Sequence, residues 1–262
     1  MLAHLQRGHG PHRVLLLHGF LGSGRNLGAL ARAWSERDPS LTLVQADLLG
    51  HGRSLPMPED ADLYTLGAAG LELMAAHPEP FWVVGHSIGG RVALTMRDQA
   101  PERVRAVTLL DIAPGPTRGL PSTDISRMLL EAPDEAPDRD TFAQFFRARG
   151  LTRGLTDWLL MNLEHDGGGY RWRIDRAALQ AFHRRTGETD LWPVAAAHAA
   201  VTRCIRGGAS TYVKAEDLER YAAIGVPVET APEAGHFVHV DATEAVLAAL
   251  VAQRAQVFGE AE

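Results

Sequence analysis

The chain reads as an α/β protein: a mostly parallel sheet of about seven or eight strands, covered by helices on both faces and interrupted once by a helical insertion. Three observations predict this. Continuous apolar runs of strand length recur along the 262 residues, amphipathic helical patterns lie between most of them, and from Pro114 to about Ala200 the alternation stops. With 45% hydrophobic side chains there is enough apolar material for a sizeable core. One domain spanning 1–262 is expected, with 114–200 inserted within it.

Taken in order, a short strand is expected near Leu2–Gln6, followed by the run Val14–His18. Further strands are expected at Leu41–Ala46, Phe81–His86, Val104–Asp111, Val201–Gly207 and Val226–Ala231. The intervening helical patterns are NLGALARAWSE, LYTLGAAGLELMAAH, GGRVALTMRDQA, AEDLERYAAIG and the terminal DATEAVLAALVAQRAQ. Within 114–200 the segments DISRMLLEA, DTFAQFFRARG and LTDWLLMNLEH are helix-like and no strand is expected. The acidic, Pro-rich stretch Glu131–Asp140 reads as an exposed connection.

Bulk properties exclude several classes of function. The formal charge of -6 is spread along the chain, so neither nucleic acid nor an anionic membrane finds an electrostatic footprint. Cys204 is the lone cysteine, which rules out an internal disulfide framework, and no spacing suggests a metal site. A reducing cytoplasm suits such a chain. The apolar run near the N-terminus is too short to span a bilayer and lacks the pattern of a leader, so a soluble, unprocessed protein is expected. GHGRSL fails the dinucleotide pattern GxGxxG at its last glycine, and there is no GK[ST] phosphate loop.

One stretch does carry chemistry. In WVVGHSIGGRVAL a buried strand stops at Gly85-His86-Ser87-Ile88-Gly89 and a helix begins at once. Such a turn holds the serine in a constrained backbone at the carboxyl edge of the sheet, and the flanking glycines give the neighbouring chain room. Ser87 as a mere helix cap would leave those glycines unexplained. A serine nucleophile needs a histidine base, an acid to orient it and two donors for the developing oxyanion. The Ile88 amide supplies one donor, and the Phe20 amide in the loop HGFLGS is expected to supply the other. Among twelve histidines, His236 in PEAGHFVHV follows the last strand and falls at the same sheet edge. His239 has the weaker claim, His18 is expected to brace its loop, and His51 belongs to turn chemistry with Gly50 and Gly52. The candidate substrate-contacting side chains are Leu21, His86, Trp158 and Met161. For Trp158 and Met161, packing within the insertion is the competing role they share with Phe142, Phe145, Phe146 and Leu159. DGGGY, Asp166–Tyr170, is expected to make a turn.

The set HGFLGS, DLLGHGRS, GHSIGG and AGHFVH, in this order along nearly the whole chain, resembles the α/β-hydrolase superfamily. GSGRNLGALARAW, LLDIAPG, LLMNLEHDGGGYRWRI and IRGGASTYV are further similar to a subfamily of small bacterial serine esterases with mitochondrial relatives. The resemblance implies an eight-strand sheet with a helical cap between its sixth and seventh strands, part of the N-terminal strand pair being absent here. It implies no cofactor and no metal. Most superfamily members carry the triad acid after the seventh strand, where this chain has Ser210. The related esterases use an aspartate in the DIAP context, which selects Asp111, with Asp217 as the alternative. The activity so implied is hydrolysis of small-molecule acyl esters or thioesters through an acyl-enzyme. Carbon-carbon bond hydrolases and a pyruvate-eliminating synthase of the menaquinone pathway share the machinery, whereas dehalogenases and epoxide hydrolases need an aspartate where Ser87 stands. A silent relative that only binds is the remaining reading.

Overall fold

Among the described residues seven strands form the central sheet of the computed structural model, in the spatial order His4–Arg7 (β1), Leu41–Ala46 (β3), His12–Leu17 (β2), Phe81–His86 (β4), Val104–Leu110 (β5), Thr202–Gly207 (β9) and Val228–Ala231 (β10). The structure describes residues 1–54, 56–117 and 119–259. Strand β1 (His4–Arg7) runs antiparallel to β3, and all other pairs are parallel. β2 (His12–Leu17) leads through a 3-10 turn into α1 (Gly28–Arg37), and β3 (Leu41–Ala46) leads to α2 (Leu63–Met74). β4 (Phe81–His86) passes directly into α3 (Ile88–Gln99), which returns the chain to β5 (Val104–Leu110).

Alternation along each strand explains why these runs are apolar throughout. Val14 and Leu16 pack with Trp34, Trp82 and Leu250 on one face of the sheet, whereas Leu15 and Leu17 join Val83, Val92 and Met96 on the other. Both faces are therefore dry. A buried hydrogen-bonded chain runs through one of them: the Trp82 indole donates to Thr108 Oγ1 at 2.9 Å, and that hydroxyl donates to Gln253 Oε1 at 2.9 Å.

Between β5 and the next strand of the main sheet lie α4 (Pro121–Glu131), β6 (Glu135–Ala136), α5 (Arg139–Arg147) and α6 (Arg153–Leu159). They are followed by β7 (Leu163–His165), β8 (Tyr170–Trp172), α7 (Arg176–Thr186) and α8 (Trp192–Ala197). This corrects the expectation of a strandless segment, because β6, β8 and β7 form a small antiparallel sheet. The helix expected through His165 stops at Leu159, and DGGGY is the turn of the β7–β8 hairpin, with Gly167 at φ 94°. Nor is Glu131–Asp140 simply a connection: Ala136 pairs with Tyr170, and the Asp138 carboxylate caps α5 by accepting from Thr141 N at 2.8 Å.

Three side chains tie this segment to the sheet domain and to itself. The buried Arg91 guanidinium on α3 donates to the carbonyls of Thr186 (3.1 Å) and Thr189 (2.5 Å). Asn162 donates to the carbonyl of Leu21 at 2.8 Å, and Arg176 holds the end of α4 through the carbonyls of Leu129 and Ala132, each at 2.7 Å. The chain then completes the main sheet with β9 (Thr202–Gly207), α9 (Ala215–Ala223), β10 (Val228–Ala231), the short α10 (Val238–Asp241) and α11 (Thr243–Phe258). Among the described residues no helix is long and apolar enough to cross a membrane.

Candidate active site

The carboxyl ends of β2, β4, β5 and β9 point to one edge of the sheet, and the candidate residues gather there. Ser87 interrupts the passage from β4 to α3 at φ 53°, ψ -123°, and its side chain makes no capping hydrogen bond. The helix-cap role is thereby excluded. The glycines around it are required for space. A Cβ on Gly85 would lie 2.2 Å from the carbonyl of Gly89, and one on Gly89 would lie 2.5 Å from the carbonyl oxygen of Leu17. The left-handed backbone falls on the serine itself.

Asp111, the residue after β5, is fully buried and adopts the same φ of 53°. Its Oδ2 accepts from His236 Nδ1 at 2.8 Å, while Oδ1 accepts the Gly207 amide at 2.8 Å and the Ser210 hydroxyl donates to Oδ2. Three hydrogen bonds thus hold the carboxylate, and the bond from His236 fixes its Nδ1 as the protonated nitrogen. Asp217 does not take part. It lies in the first turn of α9 and accepts from Lys214 N at 2.9 Å, a local capping contact.

His236 is held on both flanks. The Tyr212 ring stacks on it at 3.4 Å between centroids and 12° between planes, and His86 lies at 4.7 Å. His86 Nε2 donates to the carbonyl of His236 at 2.8 Å, so the middle residue of the elbow steadies the loop that carries the imidazole. Burial, reinforced by His239 and His236, drives the His86 pKa well below its ordinary value. His239 is buried with both ring nitrogens unpaired among the described residues, and burial pushes it down to about 3. His18 braces its loop as expected: Nδ1 donates to the Gly19 carbonyl at 2.7 Å and Nε2 accepts the Leu48 amide at 2.9 Å, with burial lowering its pKa to about 4.

A cavity of about 250 Å³ opens over Ser87 and His236, with walls formed chiefly by Phe20, Ile125, Leu155, Trp158, Tyr212 and Phe237. Of the four candidate substrate-contacting residues, His86 and Trp158 line it. The other two do not. Leu21 sits at φ 61° with its side chain wholly buried in the core, and Met161, two residues beyond the end of α6, is 42% exposed and faces a different recess. Among the described residues, no hydrogen bond within the protein occupies the amides of Phe20 or Ile88. Ile125, Leu155, Tyr212 and Phe237 also line the site, although no sequence motif singles them out. The signal available for Tyr212 was its place in GGASTYV, directly after β9 at the same sheet edge.

The sheet order, the serine at a strained strand-to-helix turn and the Asp111–His236 pair define an enzyme-like site of the α/β-hydrolase type. The chain belongs to the alpha/beta hydrolase family, whose model matches residues 14–249. It is 28% identical over 245 residues to the sn-1-specific diacylglycerol lipase ABHD11 of Mus musculus, covering 87% of this chain and 76% of that protein. It is 30% identical over 215 residues to the lipase LipV of Mycobacterium tuberculosis, covering 78% of each. A 2-succinyl-6-hydroxy-2,4-cyclohexadiene-1-carboxylate synthase of Escherichia fergusonii is 30% identical over 161 residues, 60% of this chain and 58% of that one. Among solved structures, a marine microorganism esterase superposes with a TM-score of 0.82 at 23% identity, covering 96% of this chain and 98% of the other, a likeness of fold.

Proposed function

We propose that the chain is a serine hydrolase that cleaves carboxylic esters or thioesters of small acyl groups through an acyl-enzyme on Ser87. The observation that carries this reading is the buried Asp111 carboxylate accepting from His236 Nδ1 at 2.8 Å, with His236 and Ser87 facing one cavity. His236 Nε2 takes the hydroxyl proton as Ser87 Oγ bonds to the acyl carbon. The amides of Phe20 and Ile88 stabilise the oxyanion, and the new imidazolium protonates the departing alcohol or thiol. Water, deprotonated by the same nitrogen, then releases the acid and restores Ser87. Asp111 holds the tautomer and stabilises the cation, while Ser210 and the Gly207 amide keep the carboxylate in place. No cofactor enters these steps.

The segment 114–200 acts as a cap, its α4 and α6 supplying Ile125, Leu155 and Trp158 as an apolar wall for the acyl chain. The substrate is a small molecule. The solitary Cys204, buried and with its thiol pushed up to about 12 by burial, suits a reducing cytoplasm and stays out of the chemistry. Similarity to the bacterial synthase favours a second reading, elimination or carbon-carbon cleavage with the same serine and histidine.

Purified protein is to be assayed against p-nitrophenyl esters and acyl-CoA thioesters of graded chain length, ranked by kcat/KM. Ser87→Ala is expected to lose roughly three orders of magnitude or more in turnover and all labelling by a fluorophosphonate. Wild-type-like hydrolysis by that variant would overturn the assignment. Turnover of a pyruvate-releasing substrate, with none on any ester or thioester, would establish the second reading.

A further inference from the structure

A second cavity, of about 260 Å³, shares no lining residue with the first, although the same two segments border both. The β2–α1 loop gives Phe20 to the serine cavity and Arg25 to this one. The stretch around the end of α6 gives Trp158 to the first and Met161 to the second. Four guanidinium groups line the recess, Arg25 and Arg53 from loops of the sheet domain and Arg139 and Arg173 from the segment between β5 and β9.

The positive charge in this recess is offset by one carboxylate only. Some surface arginines have carboxylate partners, as in Arg171–Glu164 at 3.0 Å and Arg127–Asp124 at 2.7 Å. Among the described residues none of these four has one. Arg173 donates to the Met161 carbonyl at 3.2 Å, and Arg139 lies 5.9 Å above the Tyr170 ring. The one carboxylate in the wall, Asp47, is committed to backbone amides, accepting from Gly24 N at 2.7 Å and Arg53 N at 2.8 Å. It knits the β2 and β3 loops together and, among the described residues, makes no ion pair with the four guanidinium groups. In a chain of net charge -6, such a concentration does not follow from composition.

We propose that this cavity binds a phosphate group. Four like charges converging on one recess repel one another when it holds only solvent, and a multiply charged anion relieves that repulsion. The planar guanidinium fork matches two phosphate oxygens at once, which a monovalent carboxylate exploits only once. The bound anion joins both halves of the wall, clamping the segment between β5 and β9 onto the loops that follow β2 and β3. The phosphate is either a free anion or one carried on the leaving group of an acyl substrate.

Inorganic pyrophosphate titrated calorimetrically into the full chain at low ionic strength tests this directly, and the readout does not depend on Ser87 or on turnover. Saturable one-to-one binding is expected. Arg53→Gln and Arg173→Gln should each weaken it about threefold to tenfold, and the double variant about thirtyfold, with an unchanged urea midpoint reporting an intact fold. Absence of saturable binding, equal affinity in the double variant, or acetate binding as tightly as pyrophosphate would each overturn the proposal. The source is then read from the ratio of kcat/KM for an acyl-CoA thioester to that for a p-nitrophenyl ester of the same chain. A fall of that ratio in the double variant assigns the phosphate to the substrate, and an unchanged ratio beside weakened pyrophosphate binding assigns it to a free anion.

Discussion

Acid should unfold this protein because of the imidazoles packed beneath the site. His18, His51 and His239 are at most 2% exposed, and burial pushes their pKa values down to about 4, about 3 and about 3 from an ordinary 6.5. All three are neutral in the folded chain. Their lowered values leave stability intact above about pH 6.5. It is lost as pH falls from there toward 4, where the unfolded chain takes up protons that the folded chain refuses. Each group costs about 1.4 kcal/mol per pH unit in that window, so the three together remove about 4 kcal/mol per unit. His86 and His183 are shifted in the same direction and add to the slope. Two to three units of this, about 8–12 kcal/mol, consume most or all of an ordinary stability of about 5–15 kcal/mol.

Urea denaturation followed by circular dichroism from pH 8 down to pH 5 measures the slope directly. The free energy of unfolding should be flat above the ordinary imidazole value and fall steeply below it. His51→Asn keeps a donor near the place of Nδ1, which donates to the Leu49 carbonyl at 2.9 Å, and removes one titrating group. The slope in that variant should be shallower by about 1.4 kcal/mol per pH unit. A flat profile through the acidic range, or an unaltered slope in His51→Asn, would refute the reasoning.

The other expectations concern the geometry of the site. Asp111→Asn should reduce kcat by about three to four orders of magnitude while Asp217→Asn stays near wild type, and the reverse result would move the acid to α9. Ser210→Asp added to Asp111→Asn should recover part of the lost rate, since residue 210 already reaches the oxygen that His236 uses; no recovery would show that a carboxylate there cannot meet the imidazole. Gly89→Ala should cost about 1–3 kcal/mol in urea denaturation and lower kcat, because its Cβ would press on the Leu17 carbonyl 2.5 Å away and displace the loop bearing Phe20.

How much of this was legible in the sequence depended on what holds each residue. β3 and β4 occur at the expected bounds, Leu41–Ala46 and Phe81–His86, since strands buried on both faces must be apolar throughout. The strands β6, β7 and β8 are two or three residues long, too short for any period to register. Leu21 and Met161 show why adjacency in sequence misleads. Leu21 follows Phe20, yet its positive φ turns the side chain into the core. Met161 is three residues after Trp158, a spacing that shares a helix face, but the helix has ended at Leu159. The Tyr212 ring on His236 joins loops after two different strands, and no pattern along one chain encodes such a stack.

The two strained residues of the site belong to a single device. Ser87 and Asp111 end neighbouring strands, and both adopt φ 53°, a backbone that costs roughly 1–3 kcal/mol at a residue other than glycine. Each is held there by a strand beyond its own: the Ser87 amide donates to the Leu110 carbonyl at 2.9 Å, and the Asp111 amide donates to the Ile205 carbonyl at 2.8 Å. The sheet therefore keeps its ladder through the very residues at which the chain leaves it, and the turn projects each side chain over the edge. An acid on β5 is one strand from the serine on β4, so relocating it there from the loop after β9 shortens the path over which position must be transmitted. The freed position after β9 is not idle, because Ser210 and the Gly207 amide close around the same carboxylate. The serine, carboxylate and imidazole thus follow β4, β5 and β10 of one rigid sheet, with the intervening β9 loop closing on the carboxylate, which is the condition for a pre-organised site.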